Sequence, residues 1–166
     1  MKKIYLLDTN IVSEFSKDCP NQNVIDLYEA RKNFCAISAV TWQELIYGVE
    51  KMPEGKRKNS IVNFTENLKN NIEIIPYDDF AAGICGQLLG KCPKEGKSLP
   101  YYDTQIAATA IANGMVLVTH NTTDFAEAAE RSFYVWKTGF LLNNSKLKEY
   151  FLRAVAILPK RLSNTS

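Results

Sequence analysis

Four carboxylates stand where apolar runs of the chain end or turn amphipathic. Asp8 closes "IYLL", and Glu44 lies inside "AISAVTWQELIYGVEK". Asp103 opens "YYDTQIAATAIANG", and Asp124 follows "MVLVTHNTT". Several carboxylates on one edge repel one another, which raises their pKa values or demands a cation. Oxygen-only sites select Mg2+ or Mn2+ rather than zinc. Mg2+ usually takes one or two carboxylates directly and keeps several waters, so acids beyond the inner ligands are expected. A metal held this way can polarise a phosphodiester, orient a water and lower its pKa. The only histidine is His120, so metal-assisted hydrolysis is preferred to histidine-based acid–base chemistry.

Each acid also has a purely structural explanation. Asp8 can be a helix N-cap, worth about 1 kcal/mol. Glu44 can close a capping box with Thr41. Asp103 can complement a helix dipole, and Asp124 can cap a helix starting at Phe125. Singly, these readings suffice; the four together favour a site.

The elements that would position the acids can be read from the chain. Ile4–Leu7 is a short apolar strand, and Asn10 to Lys17 a short helix before Pro20. "NVIDLYEARKN" has helical spacing, and "FCAIS" is a second strand. The next helix carries Val40, Leu45, Tyr47 and Val49. "MPEGKRKN" (52–59) reads as a turn with a basic cluster, followed by a helix in "SIVNFTENLKNN". "IEIIP" is a third strand, and "DDFAAGICGQLLGKC" begins with acids as a helix should. "PKEGKS" is a loop. Pro100, Asp103 and Gly114 mark the start and end of the clearest helix. "MVLVT" is a fourth strand, "HNTTDF" a loop, "AEAAER" a short helix and "FYVW" (133–136) a fifth strand. Short apolar strands alternating with helices predict an α/β fold with a parallel sheet covered on both faces. In such sheets ligands bind just beyond the C-terminal ends of the strands, the edge all four acids can reach.

At 166 residues the chain reads as one domain that needs neither disulfides nor structural metal. Cys19, Cys35, Cys85 and Cys92 form no C-x-x-C, which leaves a zinc site little to build on. Cys35 and Cys85 lie in apolar runs and read as core thiols, as Trp42 and Trp136 read as core residues. No stretch approaches the roughly 20 apolar residues of a membrane span, and Ile4–Leu7 is too short for a signal peptide. The expected setting is cytoplasmic, with reduced thiols and no membrane. The net charge of +2 is unevenly spread: residues 137–166 hold six basic residues and one acid, net +5, leaving −3 for residues 1–136.

The four blocks, in this order and spacing, resemble the PIN-domain ribonucleases, specifically the VapC-type toxins of toxin–antitoxin pairs. The likeness covers roughly residues 4–136 and rests on "LLDTNIVSEF", "AISAVTWQELIYGVEK", "YYDTQIAATAIANGMVLVTHNTTDF" and "YVW". It implies a PIN-like three-layer sandwich with a mainly parallel sheet of four or five strands, plus an extra C-terminal helix. Asp8 and Asp103 look like the family's metal-binding aspartates, Glu44 like its glutamate and Asp124 like its more variable fourth acid. Thr9 and Asn121 fall on polar positions that support the acids, and Thr119 is expected to supply a supporting hydroxyl. The implied reaction is Mg2+- or Mn2+-dependent endonucleolytic cleavage of RNA, transfer RNA being favoured, with 5′-phosphate and 3′-hydroxyl products. The implied partners are a VapB-type antitoxin and a second copy of the chain, with operator DNA reached only through the antitoxin.

The chain departs from this pattern after "FYVW", where about thirty residues follow. Residues 137–166 form a basic extension with Leu147, Tyr150, Phe151, Ala154, Val155 and Leu158 at helical spacing. An extra helix packed on the nuclease domain (1–136), an RNA-contacting arm and an antitoxin surface all suit it. Lys51, Lys56, Arg57 and Lys58 could meet phosphates, though a charged helix–helix turn explains them too. His120 reads as an exposed histidine or a phosphate contact. Tyr101 and Tyr102 read as packing residues at a helix start, or as a stacking surface, the latter at Tyr102 above all.

A phosphohydrolase of the haloacid dehalogenase type would need an aspartate two residues after Asp8, where this chain has Asn10. A receiver domain would need an acid pair that the first strand lacks. The rival of another class is a non-catalytic nucleic-acid-binding or regulatory protein on the same fold, with the acids serving as caps.

Overall fold

A computed structural model describes residues 2–90 and 100–119 of the chain. The elements run β1 (Tyr5–Leu7), α1 (Thr9–Glu14), α2 (Gln22–Arg31), a 3-10 turn (Lys32–Phe34), β2 (Cys35–Ser38), α3 (Ala39–Glu50) and α4 (Lys56–Asn71). They continue with β3 (Glu73–Ile75), α5 (Asp79–Gly90), α6 (Tyr101–Ala112) and β4 (Val116–Val118).

The four strands form one sheet in the order β3-β2-β1-β4, and every pairing is parallel. Because side chains alternate across a strand, neighbours in register share a face. Leu6, Ala36 and Leu117 line up across the sheet and meet Ile106, Ala107 and Ala110 of α6. Leu7 and Ile37 point the other way, onto Ile11, Val12, Val24, Leu68 and Ile72 of the layer that includes α1, α2 and α4. Helices on both faces of a parallel sheet make the expected three-layer α/β sandwich.

Helix α6 is buried almost all round, from Thr104 at 2% exposure through Ile106, Ala107, Ala108, Thr109 and Ala110. A helix without a polar face must sit between other layers. Its two buried threonines are satisfied by their own backbone, Thr104 Oγ1 donating to Pro100 O and Thr109 Oγ1 to Gln105 O, both at 2.8 Å. It stops at Gly114, whose φ of +59° is the left-handed conformation that glycine adopts freely. There the amides of Gly114 and Met115 return to the carbonyls of Ile111 and Ala110. Tyr77 joins α5 to α6 through hydrogen bonds with Cys85 and Gln105; burial first, then the Cys85 contact, push its phenol up to about 12.

Several sequence expectations need correction. The expected capping box between Thr41 and Glu44 does not form: Ser38 is the N-cap of α3, its Oγ accepting from Thr41 N at 2.8 Å. The basic cluster is not a turn, because α4 starts at Lys56 rather than near Ser60. Positive charge in a first turn opposes the helix dipole; here Arg57 pairs with Asp18 and Lys58 with Glu54. Tyr47 of α3 is 62% exposed. Trp42 is half-buried at the edge of the core, with Lys69 Nζ 5.8 Å from its ring centre. Cys35 and Cys85 are buried thiols, as expected. "FYVW", Trp136 and the extension 137–166 lie outside the described residues. Among the described residues, no helix is long and apolar enough to cross a membrane.

Candidate active site

Asp8 follows β1 directly, and the ladder still holds it: its amide donates to Val118 O at 3.0 Å. Its extended backbone and side chain make it the N-cap of α1, Oδ1 accepting from Thr9 N at 2.7 Å. The other oxygen faces two more donors. Oδ2 accepts from Thr119 Oγ1 at 2.7 Å and from Asn10 Nδ2 at 2.5 Å, while Asn10 Nδ2 also lies 3.1 Å from Thr119 Oγ1. The carboxylate is only 3% exposed.

These contacts pull on its proton in opposite directions. Burial raises the Asp8 pKa most, and the nearby Glu44 charge raises it further. Bonds from Thr119, the Thr9 amide and Asn10 lower it, but the net direction is upward. A carboxylate that is desolvated yet well supplied with donors is being held in place at an electrostatic cost. A nearby cation would relieve that cost.

Glu44 reaches the same place from α3. Thr9 Oγ1 donates to Glu44 Oε2 in a short hydrogen bond, so α1 and α3 are tied beside Asp8. Ser38 and Thr41 anchor the start of α3 below it, their hydroxyls 2.9 Å apart and both residues fully buried. Asp103 lies in the first turn of α6, half-buried. Since α6 runs down into β4, its start lies at the sheet edge where Asp8 leaves β1.

The structure therefore joins Asp8, Thr9, Glu44 and Thr119 in one hydrogen-bonded network and sets Asp103 at the same edge. The basic residues lie elsewhere. Lys51 caps the end of α3 with its Nζ 4.9 Å from the Tyr47 ring centre, and Lys56, Arg57 and Lys58 begin α4. The Lys69–Trp42 contact sets the end of α4 against the start of α3, so those four mark the far tip of that helical hairpin. Tyr102 and Tyr101 are exposed at the start of α6 rather than packed. Asp124, Asn121 and His120 lie outside the described residues.

Sequence reasoning missed Asn10, which joins this network, and Ser38, which caps α3. Their signals were an amide two residues after a strand-ending acid, and Ser-x-x-Thr opening a helix.

The donor set is all oxygen, which suits a hard divalent cation. Among the described residues, no three His, Cys, Asp or Glu side chains converge as a metal-binding group.

A family model described as "PIN domain" matches residues 5–131. The chain is 32% identical over 121 residues to the "tRNA(fMet)-specific endonuclease VapC" of Shigella flexneri, covering 73% of this chain and 89% of that protein. It is also 32% identical over 138 residues to "Toxin FitB" of Neisseria gonorrhoeae, covering 79% and 97%. Among solved structures it resembles FitAB bound to an IR36 DNA fragment, with a TM-score of 0.69, 31% identity and coverage of 76% and 91%. DNA-bound VapBC from Salmonella typhimurium gives a TM-score of 0.66, 30% identity and coverage of 76% and 92%.

Proposed function

This chain belongs to the PIN-domain family, and on that premise we propose that it is a metal-dependent endoribonuclease, the toxin of a VapBC-type toxin–antitoxin pair. The observation that carries this reading is the setting of Asp8: buried at the C-terminal end of a central strand, beside Glu44, with three donors, from Thr119 just after β4 and from Thr9 and Asn10 of α1, gathered around its carboxylate. A cap alone needs one bond to an exposed helix start. This acid makes more contacts than that and carries a raised pKa.

Asp8 and Asp103 are the residues that would hold Mg2+ or Mn2+, with Glu44 and Asp124 beside them. When bound, such a cation supplies Lewis acidity toward the phosphodiester and a more acidic water. Thr119, Asn10 and the Thr9 amide fix the Asp8 oxygens. Thr9 fixes Glu44 at the distance from Asp8 that keeps both acids at the edge. RNA is the proposed substrate, and transfer RNA the favoured class, because a relative bears the name of a tRNA(fMet)-specific endonuclease. The proposed partners are a VapB-type antitoxin and a second copy of the chain, with operator DNA contacted through the antitoxin. The DNA-bound VapBC and FitAB complexes support that assembly.

One observation favours the rival, a non-catalytic binding protein on this fold: Asp8 does cap α1. The experiment that separates the two incubates purified, antitoxin-free protein with total transfer RNA in Mg2+, Mn2+ or EDTA, beside Asp103→Asn. Discrete fragments that need both the metal and Asp103 are expected. RNA left intact by folded wild-type protein in both metals would overturn the nuclease reading.

A further inference from the structure

Helix α6 is a core helix whose exposed residues are the two aromatics of its first turn. Tyr101 is 61% and Tyr102 47% exposed, while the residues that follow Asp103 fall to 2% exposure or less from Thr104 to Ala110, Gln105 excepted. The rings stand 6.3 Å apart at 71°, edge to face. In that geometry the edge of one ring meets a face of the other, so the two rings do not stack on each other. Exposed tyrosines at a helix start gain little from packing, and neither side chain caps α6.

Their position supplies what the neighbouring acids cannot. A site built from Asp8, Glu44 and Asp103 repels phosphates, and the described basic residues considered above sit at the far tip of the α3–α4 hairpin. Among the described residues, what the start of α6 offers RNA beside Asp103 is a contact that does not depend on charge. Base stacking on an aromatic ring is such a contact, and it tolerates any base. A phenol also keeps its hydroxyl wet while its face is covered, which suits a surface exposed between turnovers.

We propose that Tyr101 and Tyr102 form a stacking platform for an unpaired nucleobase of the RNA, next to the bond to be cut. This rests on the nuclease reading above. The platform selects single-stranded loops over helices, since only an unstacked base can lie on it.

The test uses the full chain and a single-stranded RNA oligonucleotide carrying 2-aminopurine, bound in EDTA so that it is not cut. Wild-type protein is expected to change the probe's fluorescence on binding. Tyr101→Ala and Tyr102→Ala are expected to weaken binding about tenfold and to raise KM for cleavage with kcat unchanged. The Tyr→Phe variants, which keep the ring, should stay within about twofold of wild type on the same scale. Alanine variants with wild-type affinity, fluorescence and KM would overturn the platform while leaving the nuclease intact. If they alter the sedimentation of the protein and not RNA binding, the surface serves a protein partner and the proposal falls. Wild-type protein that neither binds nor cuts RNA would overturn the nuclease reading and the platform with it.

Discussion

Thr9 Oγ1 donates to Glu44 Oε2, so the residue that follows one acid holds the next, 35 positions away. The bond couples α1 to α3 without using either element's backbone. Thr9→Val keeps the shape, removes the donor and leaves the Asp8 cap intact. It should lower RNA cleavage about tenfold and stability by about 1 kcal/mol, whereas Thr9→Ser should keep both near wild type. Cleavage rates and urea midpoints of the three proteins check this; equal rates would mean that Glu44 needs no such anchor.

Asp8 both caps α1 and accepts the hydroxyl of Thr119 at 2.7 Å. Asparagine is as good an N-cap as aspartate. Asp8→Asn should therefore fold with a midpoint close to wild type while losing cleavage and any stabilisation by Mn2+. A loss of fold in Asp8→Asn, seen by circular dichroism, would show that the charge itself is structural.

The raised Asp8 pKa has a definite sign. The folded, metal-free protein binds this proton more tightly than the unfolded chain, whose ordinary value is 3.8. The contribution of Asp8 to stability is thus greatest when it is protonated, and falls as pH rises from 3.8 through its higher folded value. Comparing wild type with Asp8→Asn across that window in EDTA isolates it: the difference should shift against wild type as pH rises. An opposite slope would mean that the hydrogen bonds outweigh burial.

Ser38 is fully buried and caps α3 with its side chain. Ser38→Ala should cost about 1 kcal/mol from the cap, and more because Thr41 Oγ1 loses its partner at 2.9 Å. Thermal denaturation measures it; a change within error would show that the turn holds without its cap.

Cys35 is buried, and desolvation pushes its thiol up to about 11. At pH 8 only about one part in a thousand is thiolate, the reactive form. Native-state alkylation followed by peptide mapping should label exposed Cys19 and spare Cys35 until denaturant is added. Equal labelling of the two would show that the β1–β2 face opens readily.

The fold was legible because the strands are short, apolar and punctuated: Asp8, Ser38 and Pro76 mark strand ends and Gly114 a helix end, and the helical spacing between them does not suit a strand. Asp8 could be named because a strand end is a local feature, while Thr9 and Thr119 were implied by the resemblance. What pairs with what is not local. Glu44 looked like a capping partner of Thr41 because the motif lies within one helix, yet its bond crosses to Thr9. Ser38 took the cap since it still has the extended backbone of β2. Tyr47 faces solvent on an apolar-rich helix, because spacing alone does not say which side a neighbouring layer covers. Nor could spacing show that Tyr101 and Tyr102 stay exposed on a helix otherwise buried all round.

The order β3-β2-β1-β4 puts the first strand of the chain against the last described one. Asp8 and Thr119 are 111 residues apart along the chain and in contact across that seam. A ribosome adding 5–20 residues per second needs roughly 5–20 s to travel between them. Throughout that interval a nascent chain carries its first acid but not the strand that holds it. The acid pocket is completed late in translation by construction, and a product truncated before β4 lacks the seam altogether.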